Sequence, residues 1–114
     1  MTRLNITDES TGELVGWFNV EAAVLFREKT RWNGNNHISV NTGSEWNHQD
    51  LYYTKSGRWV LESSSPCLET LHEIDESRAI KWLCFNDCWD DDAIEKLPPR
   101  IKEIVKNGIA MLEI

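Results

Sequence analysis

The chain has 114 residues, of which 40% are hydrophobic and 27% are charged, and this composition fits one folded domain and excludes a disordered chain. No apolar run approaches the roughly 20 residues that a membrane-spanning helix needs, and the N-terminus lacks the basic-then-apolar order of a signal peptide, so we expect a cytoplasmic location and no membrane contact. The net charge of −7 repels phosphate backbones, which argues against direct nucleic-acid binding and favours a protein partner with a basic surface.

The first 29 residues predict a hairpin and a helix. Two apolar runs flank the turn-forming residues 8–12, as in a β-hairpin. Asn19 then provides a helix N-cap, and Ala22 and Phe26 can share one helical face. The sequence therefore predicts a first helix over residues 20–29.

A polar stretch rich in asparagine follows, and it predicts loops around one short strand. The residues Asn33-Gly34 and Thr42-Gly43-Ser44 favour sharp turns, because glycine and asparagine adopt left-handed backbone angles at low cost. Between the two turns, the sequence HISV over residues 37–40 predicts a strand.

The centre of the chain predicts three strands. Residues 51–53 and 59–61 are strand formers separated by a turn in which Gly57 takes the positive-φ position, so we expect a hairpin. Residues 67–74 alternate, with Leu68, Thr70, His72 and Ile74 on one side, and predict a third strand.

The last third predicts helices. Asp75 caps a helix over residues 76–86 whose buried stripe contains Ala79, Ile80, Leu83 and Cys84. Pro99 suits the first turn of another helix, which Asn107-Gly108 should end. The apolar residues 109–114 then dock as a strand or a clasp, or form an interface with a partner or a second copy.

Together these elements predict a single α+β domain over residues 1–114. Its fold is a small antiparallel sheet built on the central hairpin and packed on one face by two to four helices.

Two histidines in the polar stretch are candidates for catalysis. His37 and His48 could act as acid and base in the cleavage of a phosphodiester, as in a small hydrolase or nuclease. No basic residue lies between Asn33 and Asp50 to hold a phosphate. The alternative is that each histidine hydrogen-bonds loop backbone and packs against a tryptophan.

Three cysteines, an odd number, argue for reduced thiols and against a disulfide framework. Zinc ligands of the right type occur at Cys67, His72, Cys84 and Cys88. Structural zinc sites usually pair ligands across two to four residues on a tight turn, whereas Cys84 falls on the buried stripe of a helix. We therefore expect no metal and no cofactor, with this set as the alternative.

Partner binding is the preferred interpretation of the remaining polar and aromatic residues. Most of the six tryptophans should fill the core, but those in the polar stretch can anchor a partner. The expected first surface comprises Trp32, Asn35, Asn36, His37, Trp46 and His48. Residues 61–97 hold ten acids against three bases. Their acidic segment provides the expected second surface, Asp87, Trp89, Asp90, Asp91 and Asp92, for a basic partner.

Residues 30–63, followed by IDESRAIKWLCFN at residues 74–86, resemble a group of small uncharacterised bacterial proteins that are frequent in cyanobacteria. The shared pattern is GNNHIS, then TGS-x-W-x-H, L-Y-x-T-x-x-G-x-W-V-L and A-x-x-W-L-x-x-N. This chain departs from the group at SSSPCLET, where relatives carry W-S-x-W-Q-G. Some relatives carry a ribbon-helix-helix segment, as antitoxins do. The resemblance implies a regulatory accessory module in a mobile-element or defence setting, either antitoxin-like or an inhibitor of a nucleic-acid-handling machine.

Overall fold

The computed structural model describes residues 1–88 and 92–112, with side chains as far as Ile109. This part of the chain contains eight strands, two α-helices and short 3-10 turns. The strands are β1 Arg3–Thr7, β2 Leu14–Asn19, β3 Val24–Arg27, β4 Thr30–Trp32, β5 His37–Ser39, β6 His48–Tyr53, β7 Trp59–Ser64 and β8 Glu69–Ile74. The helices are α1 Glu76–Phe85 and α2 Pro99–Leu112, and 3-10 turns occupy Val20–Ala22 and Asp92–Lys96.

A four-stranded antiparallel sheet in the order β3-β6-β7-β8 forms the centre of the fold. Its middle is the predicted hairpin of β6 and β7, in which Tyr53 pairs with Trp59 and their ring centroids lie 4.6 Å apart. Gly57 closes the turn with φ +83°, an angle that a side chain with a Cβ adopts only with strain. The hairpin prediction is therefore confirmed, including the position of its glycine.

One side of the sheet contacts both helices in the larger of two hydrophobic clusters. Phe26, Leu51 and Trp59 from the strands share this cluster with Leu83 of α1 and Val105 of α2. Helix α1 begins where the sequence predicts, because a carboxylate oxygen of Asp75 accepts a hydrogen bond from the backbone N–H of Arg78 at 2.8 Å.

The opening hairpin of β1 and β2 takes part in the second hydrophobic cluster. Phe18 from β2 contacts Tyr52 of β6, with ring centroids 5.1 Å apart, and Val60 and Leu71 complete the buried set. In β6, Leu51 belongs to the first cluster and the adjacent Tyr52 to the second. Since neighbouring residues of a strand point to opposite faces, the sheet is buried on both sides.

The predicted first helix over residues 20–29 is wrong. Asn19 does cap a helical turn, because its side chain accepts from the Glu21 N–H at 3.2 Å, but that turn ends at Ala22. Residues 24–27 instead form β3, which pairs with β6. Val24 and Phe26 belong to the first cluster and Leu25 to the second, so both faces of this strand are buried. The resulting continuous run of apolar residues also fits the apolar face of a helix, which explains the wrong prediction.

The predicted end of the last helix is also wrong, because α2 continues through Gly108 to Leu112. Residues 109–112 are therefore helical and do not form a strand, and Ile109 packs against the first cluster. The glycine has a packing role: a Cβ at Gly108 would lie 3.0 Å from the Cys84 sulfur. The absent side chain thus permits close contact between the two helices. An interface of residues 109–114 with a second copy stays a prediction.

These elements confirm the mixed α+β class. The part of the chain that the structure describes contains no helix long and apolar enough to cross a lipid bilayer.

Candidate protein-binding surface

The small hairpin of β4 and β5 presents the first predicted tryptophan. Trp32 lies opposite His37 in the register, and their ring centroids are 5.1 Å apart. At the turn, the side-chain oxygen of Asn33 accepts from the backbone N–H groups of Asn35 and Asn36 at 2.9 and 2.8 Å. A backbone bond from Asn33 N–H to the Asn36 carbonyl at 3.1 Å closes it. The tip is therefore an ordered turn.

The side chains of this hairpin are open to solvent. Trp32 is 62% exposed, and Asn35, Asn36 and His37 are also in the exposed class. Asn33 was not among the predicted site residues, although it is the one that shapes the turn. A signal was present in the sequence, because asparagine two residues before an amide commonly forms such a turn.

A second loop, residues 42–47, presents Trp46, which is 65% exposed. The Ser44 hydroxyl accepts from the backbone N–H groups of Trp46 and Asn47 at 3.0 and 3.3 Å. The Thr42 hydroxyl donates to the Asn47 carbonyl at 2.7 Å. These bonds fix the backbone beneath an exposed indole. We call the predicted first set, Trp32, Asn35, Asn36, His37, Trp46 and His48, the loop surface.

His48, at the start of β6, joins the second loop to the sheet. Its Nδ1 lies 3.0 Å from Glu28 Oε1, and its Nε2 lies 2.9 Å from the Glu45 carbonyl oxygen. A carboxylate oxygen and a backbone carbonyl are both hydrogen-bond acceptors, so each ring nitrogen of His48 lies against an acceptor. The Glu28 side chain is only 6% exposed and also accepts from the Gln49 N–H at 3.1 Å. His48 thus acts as a support of the loop.

The base of the loop surface is tied to α1 by Asn86, which is 5% exposed. Its side-chain oxygen accepts from the Lys29 N–H and the Asn41 amide, both at 2.9 Å. Its amide nitrogen donates to Asn41 at 2.9 Å and to the Trp82 carbonyl at 2.8 Å. Sequence reasoning missed Asn86, because nothing local in the sequence pairs it with residues about 50 positions away.

A shallow pocket of about 160 Å³ lies beside the second loop. It is lined mostly by hydroxyl and amide side chains, together with His48 and Leu68. Its volume is below the roughly 300 Å³ at which small-molecule sites begin. His37 is not among the residues that line it.

The structure therefore does not place the two candidate catalytic histidines in this pocket together. His37 stacks against Trp32, while both ring nitrogens of His48 are already hydrogen-bonded. A general base needs a ring nitrogen within reach of the substrate proton. His48 would first have to leave Glu28 or the Glu45 carbonyl.

The alternative zinc ligands are not brought together either. His72 Nδ1 lies 2.8 Å from the Thr7 carbonyl, Cys67 is exposed, and Cys84 and Cys88 are buried. Burial raises the pKa of the Cys84 thiol, which disfavours the thiolate that zinc requires. Among residues 1–88 and 92–112, no group of three or more His, Cys, Asp and Glu is arranged to hold a metal ion.

The structure describes only the two ends of the predicted second surface, Asp87 and Asp92. Asp87, two residues after the end of α1, has a positive φ of 55°, and its carboxylate forms an ion pair with Lys29. Asp92 begins a 3-10 turn. Trp89, Asp90 and Asp91 lie outside the described residues.

Two carboxylates face each other on the sheet next to the loop surface. Asp50 of β6 is directly opposite Glu62 of β7. Burial raises the pKa of both groups, and for Glu62 the neighbouring Glu69 and Asp50 raise it further. Arg27 lies 3.8 Å from Asp50 and compensates part of this charge. Like charges opposed across two strands destabilise a sheet, so this pair costs stability at neutral pH.

A comparison of the chain with protein families, with curated proteins and with solved structures finds no match.

Proposed function

We propose that the protein binds another protein through the loop surface, with the indoles of Trp32 and Trp46 as its anchors. The observation that carries the proposal is their exposure, 62% and 65%. Large apolar side chains left in water forgo a stabilisation that burial in a complex would recover. Tryptophan is also among the residues that contribute most to binding at protein interfaces.

The order of the two loops supports this role. Asn33 fixes one tip through two side-chain hydrogen bonds, and Ser44 fixes the other through two more. A loop held in one conformation before binding loses less conformational entropy when the complex forms. The two indoles are thus presented on loops that need little further ordering.

The charge of the chain supports a partner with a basic surface. The net charge is −7, and the acidic segment, with Asp87 and Asp92 at its described ends, would steer such a partner. A basic protein that handles nucleic acid fits this description. We accordingly propose a non-enzymatic regulatory module, antitoxin-like or an inhibitor of such a machine, and this setting rests on the resemblance and the charge.

The test is an affinity purification from cells in which the protein is native, followed by calorimetry with the recovered protein. Trp32→Ala and Trp46→Ala should each weaken binding by about 30-fold, the scale of an interface anchor. The matched control is Trp17→Ala, because Trp17 is also an exposed indole, at 52%, but lies on β2. It should leave the affinity unchanged.

The acidic segment is tested separately by replacing Trp89, Asp90, Asp91 and Asp92 together. An unchanged partner list and affinity would remove the acidic segment from the proposal. A phosphodiesterase turnover that disappears in both His37→Ala and His48→Ala would overturn the proposal as a whole and favour the hydrolase.

A further inference from the structure

The turn of the β4–β5 hairpin contains the dipeptide Asn33-Gly34. Asparagine is chemically labile, and it is most labile before glycine, because glycine has no side chain to hinder attack by its own backbone nitrogen. Gly34 has a φ of +102°, and no described residue beyond its chain neighbours lies within 4 Å of the position that a Cβ would occupy. The space beside this glycine is therefore open.

The atoms that would react at this turn are accessible and polarised. The side-chain oxygen of Asn33 accepts from the Asn35 and Asn36 N–H groups at 2.9 and 2.8 Å. Both bonds draw electron density from the amide carbon Cγ and so favour attack on it. In the described part of the chain, neither the Gly34 N–H nor the side-chain nitrogen of Asn33 donates a hydrogen bond, and both residues are exposed. The attacking and the leaving nitrogen are thus open to water.

A second Asn-Gly pair provides an internal comparison. Asn107-Gly108 lies inside α2, which spans Pro99–Leu112. Within an α-helix the N–H of Gly108 bonds the carbonyl of the residue four positions earlier, so the helix must open before this nitrogen can attack. Gly108 is also packed against Cys84, where a Cβ would lie 3.0 Å from the sulfur. The same dipeptide thus occurs once in an exposed turn and once in a packed helix.

We propose that Asn33 is a site of spontaneous deamidation. The Gly34 nitrogen loses its proton and attacks Cγ of Asn33, the Cγ–Nδ2 bond breaks, and ammonia leaves with the proton. Water then opens the resulting succinimide ring at either carbonyl. The sequence of steps consumes one water, releases one ammonia and involves no oxidation or reduction. Its products are aspartate and isoaspartate, and in isoaspartate the main chain runs through Cγ.

The two products act differently on the turn. Aspartate keeps an oxygen in place of the amide oxygen, so it accepts from the same two N–H groups as a charged and stronger acceptor. Isoaspartate lengthens the main chain within the turn, and the register of a hairpin depends on the length of its loop. It should therefore separate Trp32 from His37, which are paired across the two strands. Weaker partner binding by this form rests on the function proposed above.

The test is storage of the folded full chain in mildly alkaline buffer, followed by trypsin digestion and mass spectrometry. Trypsin cleaves after Arg31 and after Lys106, so the two Asn-Gly pairs fall in different peptides. Exchange of NH for O raises the peptide mass, and fragmentation locates the residue. Asn33 should deamidate at least about tenfold faster than Asn107, because α2 must open before Gly108 can attack. In urea that unfolds the chain, the two rates should become similar.

An Asn33 that deamidates no faster than Asn107 in the folded protein would overturn the proposal, because the turn would then protect it as the helix protects Asn107. The effect on the turn is tested by NMR on the separated forms. Contacts between the Trp32 and His37 rings should persist in Asn33→Asp and disappear in the isoaspartate form; their persistence in both would overturn that effect. An isoaspartate form that still binds the partner would refute the proposed function and leave the modification site established.

Discussion

The side-chain amides of Asn41 and Asn86 bond to each other twice, each nitrogen donating to the other's oxygen at 2.9 Å. This pair connects the loop after β5 to the residue that follows α1. Asn86 also binds the Lys29 N–H and the Trp82 carbonyl, so its polar atoms are satisfied inside the protein. A buried polar network of this kind stabilises one geometry only when it is complete.

Replacing Asn86 by alanine should therefore lower the free energy of unfolding by about 3 kcal/mol, because it leaves several buried partners unsatisfied. Urea denaturation followed by tryptophan fluorescence measures the change. Asn36→Ala is the control, since Asn36 is exposed at a loop tip; its effect should stay within about 0.5 kcal/mol. Equal effects of the two variants would contradict the role given to Asn86.

The turn at Asn33 offers a direct test of loop order. Asn33→Ala removes the acceptor of the Asn35 and Asn36 N–H groups, so both amides should exchange with deuterium about tenfold faster. Hydrogen exchange followed by NMR measures the two rates. Asn35→Ala keeps the acceptor and should leave the Asn36 rate unchanged. If the loop surface binds a partner, Asn33→Ala should also weaken that binding although no anchor is removed.

The contact between α1 and α2 predicts a coupling between Gly108 and Cys84. Alanine at position 108 gains about 1 kcal/mol of helix propensity, but its Cβ would lie 3.0 Å from the Cys84 sulfur. In the wild type the crowding should outweigh the gain, so that Gly108→Ala destabilises by about 1 kcal/mol. In a Cys84→Ala background the same change should be stabilising. A double-mutant cycle by urea denaturation measures this, and equal effects in both backgrounds would refute it.

The opposed carboxylates Asp50 and Glu62 predict a pH dependence of stability. Because the pKa of Glu62 is raised in the folded state, the folded protein takes up this proton at higher pH than the unfolded chain does. The protein therefore gains stability as the pH falls through the pKa of folded Glu62, and the gain is complete below the unfolded pKa of about 4.3. Glu62→Gln should stabilise by about 0.5 kcal/mol at pH 7 and have no effect below about pH 4.

Glu73→Gln is the matched control, and its effect on the free energy of unfolding should have the opposite sign to that of Glu62→Gln. Arg58 donates two hydrogen bonds to Glu73, at 2.6 and 2.5 Å, and lowers its pKa. Glu73 therefore stabilises the protein above its unfolded pKa, and this contribution is lost as the pH falls through its folded pKa. Since the pair is partly exposed, the loss at pH 7 should be about 0.5 kcal/mol. Thermal unfolding of both variants between pH 3 and about 7.5 measures the two trends.

Local chemistry explains which elements the sequence predicted. Gly57 and Asp75 act on residues within four positions of themselves, so the central hairpin and the start of α1 follow from their neighbours alone. Residues 24–27 depend instead on a partner strand 23 to 29 positions away, and their apolar alternation does not reveal that both faces are covered. The sequence predicts a helix end at Gly108, because the packing of this residue against Cys84 cannot be inferred from its neighbours in the chain.

In the candidate site, too, the sequence predicts some features and the structure alone reveals others. Exposed tryptophans could be expected within a stretch rich in asparagine and serine, and the structure exposes Trp32 and Trp46. The residues that hold them in place could not be inferred, because Glu28 and Asn86 reach the loops only through long-range hydrogen bonds. The local sequence therefore indicates which side chains are exposed, whereas the residues that hold their loops in place are known only from the structure.

The three cysteines differ in solvent exposure, and this difference can be used to detect local unfolding of the helices. Cys67 is exposed, whereas Cys84 and Cys88 are buried. A thiol-alkylating reagent should therefore add one label to the native state rapidly and two more only when the helical side of the fold opens. Mass spectrometry of labelled chains would then count molecules in which α1 and α2 have parted, without any engineered probe.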